Sequence, residues 1–198
     1  MANLKIVKET ETRWNDYYED NDVYIRTSVL NVDTNKYVVD EEDFTEYGTG
    51  LIFAENEEGC NSEGLHLVKV NGECKAIIKW EGLFYERNDQ LVITGLNEKS
   101  TTDEILSIAE KVTVYNTNGK KLFKTERFFG DPYCVTFKIK FSKNTVTCME
   151  ISSSYPAEHT IYKTVYNYDG QKLLSKKQNI TNQDILDKVN TDDSELSM

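Results

Sequence analysis

The sequence predicts a mainly β protein of antiparallel sheets, sandwich- or barrel-like, with one or two short α-helices. Three observations predict it. Val, Ile, Thr, Tyr and Phe are abundant and alanine is scarce, a composition that suits pleated, half-buried strands. Asn71-Gly72, Asn118-Gly119 and Asp169-Gly170 each separate two apolar-bearing runs, and such pairs favour the positive φ angles of two-residue type I′ hairpin turns. Residues 133–141 alternate Tyr, Val, Phe, Ile and Phe with Cys, Thr, Lys and Lys, the period-2 pattern of a half-buried antiparallel strand.

Taken in order, residues 3–8 form a first strand around Leu4 and Ile6, followed by Trp14, Tyr17 and Tyr18 among acidic residues. Residues 23–32 form a longer strand, 33–36 a turn, and 37–39 a returning strand that stops at the acidic run Asp40-Glu41-Glu42-Asp43. Gly48 and Gly50 bend the chain before a strand at 51–54, and the polar, glycine-bearing stretch 55–64 is an exposed loop. A meander follows: 65–70 turns at Asn71-Gly72 into 74–80, and 83–86 turns into 91–94.

Residues 100–110 carry the clearest helix signal. Thr101 and Glu104 have capping-box spacing, in which each side chain satisfies the other residue's orphan backbone N–H. Residues 114–123 and 165–174 then form twin hairpins that agree at Val, Tyr, Asn, Gly, Lys and Leu. A two-residue loop sets Val114 opposite Phe123 and Tyr115 opposite Leu122; in the second copy Val165 faces Leu174 and Tyr166 faces Leu173. Both hairpins are then apolar on both faces, as in a strand pair covered on both sides. Between them, 145–151 pairs with 133–141, and residues 152–156 form a loop. Residues 182–189 are a second short helix candidate, and the acidic end from Asp192 is frayed.

The 198 residues are read as a single domain, 1–198, with two packed β subregions: an acidic one at 1–99 and a helix plus twin-hairpin one at 100–198. A chain of this length buries roughly 70% of its unfolded surface and needs no metal or disulfide staple. No apolar run reaches the ~18–20 residues of a membrane span. The first ten residues lack the apolar core of a secretory signal, so no membrane association and a cytoplasmic location are expected. In that setting Cys60, Cys74, Cys134 and Cys148, which have no C-x-x-C spacing, are expected as free thiols.

Motifs for common chemistries are missing. His66 and His159 have no second histidine at helical spacing, and no phosphate loop, dinucleotide fingerprint or nucleophile elbow is present. No catalytic residue, metal ligand or cofactor is therefore assigned.

Charge is the remaining signal. Residues 1–63 hold sixteen acids and five bases, a net of −11 that equals the net charge of the whole chain. Residues 111–180 hold twelve bases and five acids, and the last eighteen residues return to −4. In the acidic third, Asp20, Asp22, Asp40, Glu41, Glu42, Asp43 and Glu46 stand near Tyr17 and Tyr18. Clustered carboxylates speed association with a positive partner, and aromatic anchors supply buried contact energy. These nine residues are read as a surface that binds and inhibits a basic protein partner, such as a nucleic-acid-processing toxin or defence protein. The lysines of 111–180 alternate with apolar residues as on an ordinary solvent face, so direct nucleic-acid binding is not expected. Two alternatives use other residues: a carboxylate-based hydrolase acting on a glycan or nucleotide, and a ligand-binding β module built on Tyr115, Tyr166 and Tyr168.

Overall fold

Residues 76–80, Ala-Ile-Ile-Lys-Trp, put apolar side chains at both parities of one strand. Successive side chains point to opposite faces, so such a strand belongs where both faces are covered. The computed structural model describes residues 2–15, 20–47, 60–84, 100–130, 133–154 and 158–180, and places this strand in the middle of three antiparallel sheets.

The first sheet has the order β1-β2-β3, with β1 Leu4–Asn15, β2 Asp20–Asn31 and β3 Lys36–Tyr47. The central sheet runs β4-β5-β6-β7, from β4 Cys60–Val70, β5 Glu73–Phe84, β6 Lys111–Asn116 and β7 Lys121–Glu126. Helix α1, Thr102–Ile108, lies in the connection from β5 to β6. The third sheet has the order β12-β11-β10-β9-β8. Its strands are β8 Phe128–Gly130, β9 Tyr133–Phe141, β10 Thr145–Ser154, β11 Glu158–Asn167 and β12 Lys172–Ile180.

One face of the central sheet carries Ala76, Ile78, Trp80, Val112 and Val114 into a cluster with Phe137, Ile139, Val146 and Cys148 of the third sheet. Ile105 and Leu106 of α1 join the same cluster. The opposite face sends Ile77 and Leu65 against Val29 and Val39 of the first sheet, with Leu4 and Ile6 packed alongside. Each fully buried aliphatic side chain of this size contributes roughly 1.5–3 kcal/mol. Two packed β regions were the expectation; the molecule has three layers, because β5 is apolar at both parities. The central sheet takes β4 and β5 from before residue 99 and β6 and β7 from after residue 100, so that position does not divide one sheet from another.

Helix α1 starts with the expected capping box. The Thr101 backbone N–H donates to Glu104 Oε2 at 2.6 Å, and the Glu104 N–H donates to Thr101 Oγ1 at 3.3 Å. The other end of the helix is held by Arg127, which follows β7. Its Nε donates to the Ala109 carbonyl and its second guanidinium nitrogen to the Leu106 carbonyl, each at 2.7 Å. These carbonyls have no partner within the helix. The guanidinium also sits 4.4 Å from the Phe137 ring centroid, so one side chain ties α1 to the third sheet.

The hairpin loops divide into two kinds. Asn71 and Gly72 both have positive φ, 53° and 82°, between the paired Val70 and Glu73; this is the expected type I′ geometry. The twin loops differ from expectation. Only Gly119 and Gly170 there have positive φ, and the Asn116 and Asn167 N–H groups donate to the Lys120 and Gln171 carbonyls. Each is a three-residue loop whose glycine forms a bulge. Next to the loop the register is off by one, so Tyr115 faces Lys121 and Tyr166 faces Lys172, and beyond the bulge the expected pairs Val114–Phe123 and Val165–Leu174 are found. The cause is a side chain. Asn116 Oδ1 accepts the Asn118 and Lys120 N–H groups, and Asn167 Oδ1 accepts those of Asp169 and Gln171. An Asn that bonds backbone two and four residues on fixes the longer loop.

The twin loops also meet each other. Asn116 Nδ2 donates to the Tyr168 carbonyl at 2.9 Å, and Lys120 Nζ to the Asp169 carbonyl at 2.7 Å. Phe123 and Tyr166 stack with centroids 5.1 Å apart. On its other side, the first loop touches the first sheet so closely that a Cβ on Gly119 would lie 2.1 Å from the Val38 carbonyl oxygen.

Most other differences are strand lengths. Strand β3 continues through the acidic run instead of stopping at it, and β4 begins at Cys60, inside the stretch expected as loop. Residues 152–154 belong to β10. Residues 83–84 extend β5; the strands expected at 51–54 and 91–94 and the helix at 182–189 lie outside the described residues. Cys74, Cys134 and Cys148 are free thiols.

Candidate functional site

The acidic residues singled out in the sequence fall on one two-stranded ladder. Asp20 and Asp22 of β2 pair in register with Asn15 and Arg13 of β1. On β3, Asp40 faces Ser28 and Glu46 faces Ile25. Glu41, Glu42 and Asp43 fall where the register shifts between Arg26 and Ser28, so several residues of β3 oppose the single Thr27. Tyr17 and Tyr18 lie outside the described residues. The structure thus collects seven of the nine residues on β2 and β3 of the first sheet.

This ladder lies at one end of its sheet. The apolar contacts with the central sheet come from Leu4, Ile6, Val29, Val38 and Val39, which cluster toward the turn at residues 32–35. The acidic positions begin at Asp40, opposite Ser28, and run away from that turn to Asp20 and Asp22. From Ser28 to Asp20 the strand covers roughly 26 Å at about 3.3 Å per residue. Asp20, Asp22 and Asp40 have the register parity opposite to that of Val29, and Glu46 has the parity of Val29.

Other residues of the first sheet were not singled out from sequence. Trp14 is 59% and Tyr37 47% exposed, and the Tyr37 hydroxyl donates to Glu9 Oε1 at 2.9 Å. Glu9 faces Arg26 in the ladder. These residues extend the acidic and aromatic character across to β1. Strand alternation of Lys5, Val7 and Glu9 against Leu4 and Ile6 was the signal available for them.

The tyrosines of the alternative ligand module are split between layers. Tyr115 packs against the cluster beneath the first sheet, whereas Tyr166 and Tyr168 pack against the cluster beneath the third. They do not share one face of the molecule. Burial pushes the Tyr168 hydroxyl up to about 12, and that hydroxyl donates to the Ser142 carbonyl at 2.7 Å, a packing role at the loop between β9 and β10.

The histidines are likewise separated. His66 Nε2 lies 2.9 Å from Thr102 Oγ1 at the start of α1, and His159 Nδ1 lies 2.7 Å from Ser153 Oγ. Burial, with a smaller push from Lys69, lowers the His66 pKa. Among the described residues no group of three or more His, Cys, Asp or Glu side chains is placed to hold a metal ion, and no helix is long and apolar enough to cross a membrane.

Comparison of the chain with family models, with curated proteins and with solved structures finds no match.

Proposed function

We propose that this protein is a non-catalytic cytoplasmic binder that docks a basic protein partner on its acidic first sheet and inhibits it. The observation that carries this reading is the concentration of charge: residues 1–63 hold the net −11 of the whole chain, and their carboxylates recur along the β2–β3 ladder. A ribbon of like charge steers an oppositely charged partner and raises the association rate by 10–10³-fold or so. Trp14 and Tyr37, exposed on the same sheet, supply the aromatic contact area that charge alone lacks. A partner whose own activity needs a basic surface, such as a nucleic-acid-processing protein, is blocked by occupation of that surface.

The test uses retention of partners from a native lysate at rising salt. The wild-type chain is compared with a variant carrying Asp40→Asn, Glu41→Gln, Glu42→Gln and Asp43→Asn. Retention by the wild type is expected to fall with salt, and the variant is expected to lose it already at low salt. Equal retention by both chains sinks the reading.

A further inference from the structure

The inner face of the third sheet outruns its cover at one end. Strands β9 to β12 are nine or ten residues long, whereas β6 and β7 have six. Near the end of β7 the Thr125 hydroxyl donates to Glu150 at 2.8 Å, and Glu150 shares a row with Phe137, Tyr162 and Lys177. The next row on the same face holds Phe128, Val135, Ser152, Thr160 and Asn179, and Tyr133 lies one row further on. Phe128, Tyr133 and Tyr162 are 54%, 45% and 40% exposed, on the face that buries Phe137, Ile139 and Cys148 further in. Scattered apolar side chains at a surface are ordinary, but a group of them on one face marks a contact surface. A Cβ on Gly130 would lie 2.7 Å from the Phe128 ring, so that ring lies over its own strand where only glycine leaves room.

We propose that this face binds an uncharged, proline-rich segment of a partner protein in the polyproline II conformation. Hydrogen bonding and charge both point to that occupant. Ser152 Oγ donates to the Tyr133 hydroxyl oxygen at 2.6 Å, and Thr160 Oγ1 donates to Asn179 Oδ1 at 3.2 Å. Each bond takes up an acceptor, so what the two pairs present is donors, the Tyr133 O–H and the Asn179 amide hydrogens. Lys177 Nζ stands 5.5 Å from the Tyr162 ring centroid and adds a further donor at that end. A proline-rich backbone matches such donors, because proline keeps its carbonyl and has no N–H, and polyproline II makes no internal hydrogen bonds. Its rings pack against exposed aromatic rings, the mode by which such segments dock. A nucleic acid does not suit the face: the row from Phe128 to Asn179 carries no charge, and in the neighbouring row Glu150 and Lys177 have opposite signs. The length fits as well. Tyr133 and Tyr162 are two strands and four residues apart in the register, about 16 Å, which roughly five residues of polyproline II cover at about 3.1 Å each.

The test uses the full-length chain and end-capped, fluorescein-labelled decaproline as the probe, read by fluorescence anisotropy. Wild type is expected to bind it with little change at high salt, because no charge pair is made. Phe128→Ala and Tyr162→Ala are each expected to weaken binding roughly tenfold, the scale of a lost aromatic anchor. Tyr133→Phe keeps the ring and removes the hydroxyl, and is expected to weaken binding roughly threefold, the scale of one hydrogen bond. All three side chains are exposed, so the urea midpoint of each variant is expected to stay at the wild-type value. Failure of wild type to bind decaproline overturns the proposal, and so does equal binding by wild type, Phe128→Ala and Tyr162→Ala. Binding of cellohexaose in place of decaproline would assign the face to a glycan and overturn it too. No residue of the acidic first sheet enters this measurement, so its outcome is independent of the docking reading above.

Discussion

Ile77 and Ile78 are neighbours in sequence and both are fully buried, but they hold different parts of the molecule. Ile78 faces the third sheet in a cluster of fifteen buried residues among those described; Ile77 faces the first sheet in a cluster of four. The smaller cluster is the one beneath the acidic sheet. Local stability follows the apolar contacts available, so on the described clusters the Ile77 side is expected to open before the Ile78 side.

The largest expected effects come from breaking each side of that comparison. Ile78→Ala and Ile77→Ala each remove the same atoms from a fully buried site, at about 2–5 kcal/mol in a core that relaxes only partly. Ile78→Ala is expected to lower the urea midpoint of the whole molecule. Ile77→Ala is expected to speed amide exchange in β1–β3 well before β9–β12. Uniform acceleration across all three sheets in the Ile77 variant would show that the layers open as one unit and break the comparison.

The twin loops sharpen it at a smaller scale. Gly119 and Gly170 have nearly the same φ, 80° and 84°, so alanine at either position carries the left-handed cost of roughly 1–2 kcal/mol. Their surroundings differ. A Cβ on Gly119 meets the Val38 backbone at 2.1 Å, whereas one on Gly170 meets the flexible end of Lys120 at 3.1 Å. Backbone cannot step aside as a lysine can, so Gly119→Ala is expected to cost clearly more and to disturb β3. Equal losses in denaturant unfolding would mean that the contact between the first loop and the first sheet contributes nothing.

The third expected effect is a pH dependence confined to the larger core. Burial pushes the Cys148 thiol from an ordinary 9.0 up to about 12. Above pH 9 the unfolded chain loses this proton while the folded chain keeps it, so the unfolded state is favoured and stability falls between about pH 9 and 12. Tyr168, also raised to about 12, adds to the same limb. Cys148→Ala is expected to flatten the fall in stability over this window, read as denaturant midpoints at a series of pH values. An unchanged slope would place the alkaline sensitivity elsewhere.

Much of the fold was written in local pattern. Strand β9 begins and ends where its alternation of apolar and polar residues does, because one face meets the core and the other does not. The capping box of α1 needed only Thr101 and Glu104. The twin loops were legible in principle: Asn116 and Asn167 stand two residues before the Asn-Gly and Asp-Gly pairs, whereas Lys69 stands at that place before Asn71-Gly72. The third layer was harder to read, because nothing local says which sheet will cover the second face of β5. The acidic run was misjudged for a related reason. Asp and Glu disfavour strands on their own, but β2 offers β3 a ladder to pair with, and pairing overrides the local preference. The meeting of the acidic positions on one ladder followed from that pairing, which composition does not contain.

Among the described residues, each strand pairs only with neighbours in the chain order, so the sheets occupy three successive stretches: 4–47, 60–126 and 128–180. Short sequence separations of this kind favour fast folding. They also impose an order during synthesis, when the earlier parts of a chain emerge first. The acidic sheet is complete before its apolar support at Ile77 has been made, and it spends that interval with Val29 and Val39 uncovered. Like charges repel, so the dense negative charge of the same stretch opposes association of half-made copies through that uncovered face.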